Sequence, residues 1–258
     1  MSAATPRHCF FLDSCVALAE ILGENKEVME KFKTDVQRRD IDCYLSDSVV
    51  AECEKKLNFS QTFFEKVFQN FAEVRFNECR KQRGMKPDDP LCKEDYLIFA
   101  SLFTELRKSM SPLFAGPLRA LEIKMVLALE NMFRKGERLA FSVFLRGFIA
   151  QAMVLAANLK IRKVKYITNE QGFFKKKNIA PDKTTSKKLL ASLPYSKYNA
   201  FHEDDSDNIS SAWAHRQSTG ENTVFVTLDF RSVLFYAEEI FQVINLWCAD
   251  PLYAVHFF

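Results

Sequence analysis

Residues 8–13 read HCFFLD, and residues 223–229 read TVFVTLD. Each is an almost continuous apolar run that stops at an aspartate. A strand that is apolar on both faces must be covered on both faces, the condition of a central strand in a parallel sheet. Residues 41–45, IDCYL, and 243–248, VINLWC, read as two further strands. Helical patterns separate them, the first from about Cys15 to Val36. Ser46, Asp47 and Ser48 can cap a helix that follows the second strand. Strands alternating with helices imply right-handed crossovers and a parallel sheet, hence an α/β fold.

The middle of the chain differs in kind. Phe64, Val67, Phe68, Phe71 and Val74 recur at helical spacing, and similar periodicity runs over 118–133 and 139–159. Gly and Pro at 84–90 and 110–117 divide this region into about four helices. The expected organisation is an α/β domain over 1–58 and 161–258, interrupted by a helical insertion or cap over 59–160. The 25 Phe residues supply aromatic surface for burial, most simply in that helical core.

Composition excludes several classes. With 48% hydrophobic and 27% charged residues the chain is not disordered. Its seven Gly form neither a GxGxxG nor a P-loop pattern, which disfavours sites that cradle phosphate on backbone. Seven Cys lack any C-x-x-C pair and do not cluster with the four His, so they read as reduced core residues of a cytosolic protein. No continuous apolar run reaches about 18 residues. The longest candidate, Phe148 to Leu159, contains Gln151 and Asn158. The N-terminal apolar run is broken by Asp13, unlike a signal peptide. A cytoplasmic protein without a membrane span is expected.

The net charge of +3 is a cancellation. Residues 160–188 hold ten Lys and Arg against Glu170 and Asp182, more positive charge than the whole chain carries. Lys163, Lys165, Lys175, Lys176, Lys177, Lys187 and Lys188 are candidates for contacting a phosphate backbone, where lysine acts by releasing counterions. A solvated lysine-rich loop is the alternative reading.

Four places put a carboxylate where α/β folds do chemistry. Asp13 and Asp229 end apolar strands, at the carboxyl edge of the sheet. Glu52 flanks the helical stripe Val49, Cys53 and Leu57 and can face the same edge. Asp205 lies in Glu203-Asp-Asp-Ser-Asp207, which opens a helix with Ile209 and Ala212 on its inner face. Asp204 and Asp207 are the alternatives to Asp205 in that cluster. Part of the cluster can also serve as helix capping. Converging carboxylates cannot all stay ionised unaided, and a divalent cation resolves the conflict. All-oxygen ligation selects Mg²⁺ or Mn²⁺, which can activate water for attack on phosphorus.

The order Phe11-Leu-Asp13-Ser, Ser48-Val-Val-Ala-Glu52, Asp205-x6-Ala212 and Val226-Thr-Leu-Asp229-Phe resembles a PIN domain, over roughly residues 8–58 and 195–250. The resemblance implies a three-layer α/β/α fold around a parallel sheet, and metal-dependent endonucleolytic cleavage of single-stranded nucleic acid, RNA rather than DNA. It makes Asp13, Glu52, Asp205 and Asp229 the metal-binding carboxylates and Ser14 and Thr227 the hydroxyl residues that support them. The helical insertion departs from the family pattern; its expected roles are narrowing the substrate, homo-oligomerisation or binding a protein partner. Tyr166-Ile-Thr-Asn-Glu170 echoes a strand followed by T-x-acid; it reads as a plain strand end, with Glu170 at the border of the site as the alternative.

Two other functions compete. A haloacid-dehalogenase-type phosphatase also uses a strand-terminal Asp, but wants a second Asp two residues later, where this chain has Cys15. A PIN-like fold can also act without catalysis, as an RNA-binding or protein-interaction module.

Overall fold

The structure is a computed structural model that describes residues 7–86, 88–109, 115–168, 173–193 and 201–258; the side chains at 58–65, 109, 115 and 116 are excluded. The chain divides into two compact units, Met1–Lys56 with Arg162–Phe258, and Leu57–Ile161.

The first unit is built on β1 (His8–Leu12), β2 (Asp42–Ser46), β3 (Phe174–Lys177), β4 (Asn222–Val226) and β5 (Trp247–Ala249). They form one all-parallel sheet in the order β3-β2-β1-β4-β5. Helices α1 (Ser14–Leu22) and α2 (Lys26–Arg38) follow β1, and α3 (Asp47–Gln69) follows β2. The alternation along β1 sends its side chains to two different cores. Cys9 and Phe11 join Tyr44, Phe225, Ile209, Ala212 and Ile240. Phe10 points to the opposite face, where its ring stacks on Phe32 of α2 at 5.6 Å and on Phe258 at 5.4 Å. Both faces are therefore covered, as the apolar runs require.

Four details differ from the sequence reading. The helix expected over 15–36 is two helices, because Gly23 (φ 74°) and Asn25 (φ 47°) take left-handed conformations that end α1 and begin α2. Val243 and Ile244 finish a helix rather than start a strand; Asn245, left-handed at φ 56°, closes it before β5. Tyr166 to Thr168 lie in a π-helical turn, not a strand, and Glu170 falls outside the described residues. The lysine-rich segment supplies one more strand than expected, β3. With one apolar residue, FKKK has no strand signature, but it lies at the sheet edge, where lysines also discourage pairing with another chain.

The second unit is helical. The later turns of α3 run into a π-helical stretch, Asn70–Phe76, then α4 (Asn77–Gln82), α5 (Lys93–Ser109), α6 (Ala115–Arg134) and α7 (Phe141–Lys163). The wider π turn rephases the predicted stripe: Val74 is 45% exposed and Phe76 takes its buried place. Phe rings fill the core, with Phe71–Phe99 at 5.7 Å, Phe99–Phe148 at 5.6 Å and Phe76–Phe141 at 5.1 Å, all tilted or edge-on. Among them lies a buried ion pair. Arg80 Nη1 donates to Asp95 Oδ2 at 2.6 Å, Arg83 Nη1 donates to Asp95 Oδ1 at 3.0 Å, and the Arg80 guanidinium lies over Phe141.

Helix α7 buries Phe141, Phe144, Phe148, Ala152, Ala156 and Leu159 and leaves Val143, Met153, Val154 and Ile161 exposed. Together with the π turn after it, the span Phe141–Ile167 is long and apolar enough to cross a membrane by length and composition, with 28% of its most apolar window buried. The sequence expectation of no membrane span is not overturned by this, since the core helix of a soluble protein passes the same test of length and composition. That expectation counted unbroken apolar runs, and the scattered polar residues of α7 leave the mean hydropathy at 1.5.

The remaining elements return to the first unit: α8 (Lys183–Ser192), α9 (Glu203–Thr219), α10 (Ala237–Ile244) and α11 (Pro251–Ala254).

Candidate functional site: an acidic cluster at the switch point of the sheet

The chain adds β2 and β3 on one side of β1, then β4 and β5 on the other, so connectivity reverses between β1 and β4. Ligands of open parallel sheets bind in the crevice outside the carboxyl ends of such a strand pair. These two strands are in register from His8–Asn222 to Leu12–Val226, and Asp13 N donates to Val226 O at 2.9 Å. Asp13 and the loop Thr227–Asp229 therefore leave the sheet side by side.

Asp13 is the N-cap of α1 and is buried, at 4% exposure. Its Oδ1 accepts from Ser14 N at 2.7 Å and Asn208 Nδ2 at 3.3 Å. Its Oδ2 accepts from Thr227 Oγ1 at 2.7 Å and Cys15 Sγ at 3.1 Å. Burial raises its pKa, the Thr227, Cys15 and Ser14 hydrogen bonds oppose that, and the charge of Glu52 adds to it.

Glu52, one turn into α3, accepts from Asn208 Nδ2 at 3.1 Å and pairs with Lys56 one turn further on. Lys56 Nζ also reaches Ser14 Oγ at 3.5 Å. Asp205 sits in the first turn of α9 and its Oδ2 accepts from His202 N at 2.9 Å. Burial pushes its pKa up to about 6, the His202 N–H opposes, and the charges of Asp13 and Asp229 push it further up. Asp229 folds its carboxylate onto its own turn, accepting from Arg231 N and Ser232 N at 2.9 Å and from Ser232 Oγ at 2.7 Å.

The four expected carboxylates thus lie in one electrostatic neighbourhood: Asp13 with Glu52 through Asn208, and Asp205 with Asp13 and Asp229 through their fields. They do not close on one point. Among the described residues, the one trio of His, Cys, Asp or Glu with ligand atoms all within 4.8 Å of one another is Cys9, His215 and Glu221, elsewhere in the unit. The all-oxygen donors suit a hard cation held by one or two carboxylates and completed by water, the habit of Mg²⁺.

Of the alternatives to Asp205, Asp207 is engaged elsewhere. Asp207 accepts from Ser186 Oγ at 2.8 Å and pairs with Lys183 at 2.7 Å, tying α9 to α8. Asp204 is exposed. Ser14 supports Asp13 through its backbone N–H, while Thr227 does so through its hydroxyl.

Three residues of the site were not expected. Asn208 follows Asp205 by three positions and Lys56 follows Glu52 by four, so helical spacing places both on the acidic face. Cys15, read as a core residue, bonds Asp13 and approaches Thr227 Oγ1 at 3.2 Å, and Leu228 N donates to its sulfur at 3.1 Å.

The candidate lysines divide. Lys175 pairs with Asp42 at 2.5 Å, Lys188 donates to Val243 O at 2.9 Å, and Lys187 is exposed on α8. Lys176 and Lys177 are in register with Leu45 and Ser46 at the carboxyl end of β2, and Lys177 Nζ lies over the Tyr44 ring at 4.6 Å. Two strand spacings, about 10 Å, separate β3 from β1. Lys163 and Lys165 lie at the α7 end and in the π turn that follows.

No family model, curated protein or solved structure matches this chain.

Proposed function

We propose that the first unit is a PIN-like nuclease domain that hydrolyses phosphodiester bonds in single-stranded RNA with Mg²⁺ or Mn²⁺. The observation that carries this reading is the buried Asp13 at the β1/β4 switch point, sharing its field with Glu52 and Asp205. A divalent ion held by Asp13 and its neighbours would supply Lewis acidity and an activated water. Thr227 and Ser14 N orient the Asp13 carboxylate. Asn208 bridges Asp13 and Glu52; because Asp13 already accepts four hydrogen bonds, an ion bound there would displace one of its donors. Asp205, with its pKa near 6, can take up a proton close to neutral pH. Lys176 and Lys177, at the same edge of the sheet, draw in a polyanion that the carboxylates alone would repel.

A second reading has its own support. Lys56 neutralises Glu52, and Asp205 and Asp229 each satisfy backbone N–H groups. A site with so many internal partners also fits a non-catalytic RNA-binding or protein-interaction module. The exposed apolar residues of α7 suit a protein partner or a second copy. The phosphatase reading is weaker, since Cys15 bonds Asp13 where that chemistry needs a second acid.

The test is incubation of the purified protein with end-labelled single-stranded RNA in Mg²⁺, Mn²⁺ or EDTA, beside Asp13→Asn. Cleavage that requires the metal and is lost in the variant supports the nuclease. Cleavage in EDTA, or an equally active Asp13→Asn, overturns it. RNA binding without cleavage under either ion favours the second reading.

A further inference from the structure

The opposite end of the same sheet carries a second cluster that the proposed nuclease does not use. Cys9 is the second residue of β1, His215 lies in the last turns of α9, and Glu221 immediately precedes β4. Their ligand atoms, one each of S, N and O, all lie within 4.8 Å of one another. His215 Nε2 and Glu221 Oε2 are 2.7 Å apart. Cys9 and His215 are each 1% exposed, while the Glu221 side chain retains 20%. Cys9 and Asp13 are four residues apart on a strand, about 13 Å, so this is not the acidic site.

The surroundings resemble those of a supported ligand set. The imidazole of His215 packs against the rings of Phe11, at 5.0 Å, and Tyr44, at 5.6 Å, which also touch each other. Thr223 Oγ1 lies 3.3 Å from Cys9 Sγ and donates to Glu221 O at 3.1 Å. Outer partners of this kind fix the orientation of metal ligands. Thr223 also lines a surface cleft with His8, Arg216 and Asn222.

The geometry points to a binding site here for one borderline-soft divalent cation, Zn²⁺ above all, ligated by Cys9 Sγ, His215 Nε2 and a Glu221 carboxylate oxygen, with a fourth position left for water. Mixed S, N and O donors select zinc over the hard ions suited to the acidic cluster. Charge balance favours it too. A thiolate and a carboxylate carry two negative charges, the imidazole none, and a divalent ion cancels them in a buried place. Without an ion, burial pushes the Cys9 thiol up to about 12, so the sulfur stays protonated. Binding transfers that proton to solvent, which makes affinity fall with acidity.

The experiment uses the full chain, stripped with chelator and titrated with Zn²⁺ and, in parallel, Co²⁺. The expected result is one ion per chain with a thiolate-to-cobalt absorption band. That band persists in Asp229→Asn and disappears in Cys9→Ala, and Glu221→Gln weakens zinc binding tenfold or more. Absence of the band in the wild-type protein, or an undiminished band in Cys9→Ala, overturns the site. Should circular dichroism show Cys9→Ala unfolded, Glu221→Gln decides: unchanged zinc affinity overturns the site, and a tenfold loss supports it.

Discussion

The Asn208 amide lies 3.3 Å from the Asp13 carboxylate, although 195 positions separate the two residues. The same nitrogen reaches Glu52 at 3.1 Å, so one neutral donor sits between two acidic groups contributed by α1 and α3. Asn208 is buried, at 2% exposure, and its amide relieves part of the repulsion between them.

Replacing Asn208 by Leu should therefore cost about 1–3 kcal/mol, because it leaves two acceptors without their donor. Urea denaturation of wild type and Asn208→Leu measures this. A change below about 0.5 kcal/mol, the range of an ordinary surface substitution, would show that the bridge contributes little.

Asp205 sets a pH dependence. Its pKa is raised from the ordinary 3.8 to about 6, so the folded state holds the proton more tightly than the unfolded state. Its contribution is complete below the unfolded value and is lost as pH rises through the folded one. In metal-free buffer, wild type should lose stability relative to Asp205→Asn between about pH 4 and 7, on the order of 2–3 kcal/mol. Parallel melting curves at several pH values provide the comparison; a difference that is flat with pH contradicts the assignment.

Lys176 and Lys177 stand at the same edge as the carboxylates, and the proposed RNA reading makes them contacts to phosphate, independent of base sequence. Charge reversal of both, Lys176→Glu with Lys177→Glu, should weaken RNA binding uniformly across sequences. The slope of log K against log salt should fall by roughly 1.4, about 0.7 for each lost contact on a single strand. Filter binding at several salt concentrations reads it, and an unchanged slope assigns the contacts elsewhere.

The helical unit depends on Asp95, which is fully buried and accepts from Arg80, Arg83 and Cys92 N. Asp95→Asn leaves the Arg80 charge buried without its counter-ion. A loss of about 3–5 kcal/mol is expected. Proteolysis or hydrogen exchange should localise the damage to Leu57–Ile161. Unchanged protection there would show that the pair is dispensable.

Much of the first unit was legible because burial writes itself into sequence. The β1 and β4 runs had to be apolar to sit in mid-sheet, and each ends at an aspartate of the acidic cluster. Strand β3 was illegible for the converse reason: an edge strand needs few apolar residues, and FKKK keeps one. The phase of the helical unit was misread at Val74 because a π turn consumes extra residues without leaving a compositional mark.

The sequence by itself determined an α/β sheet with acidic groups at its carboxyl edge, since local hydrophobic patterning specifies which strands are central and where they end. Only the tertiary structure decided what surrounds those acids. Asn208 of α9 comes to Asp13 and Glu52 across 195 and 156 positions, and Cys9, His215 and Glu221 meet at the far end of the strands. Such meetings depend on how distant segments pack, and that information is spread over the whole core rather than written near any one residue.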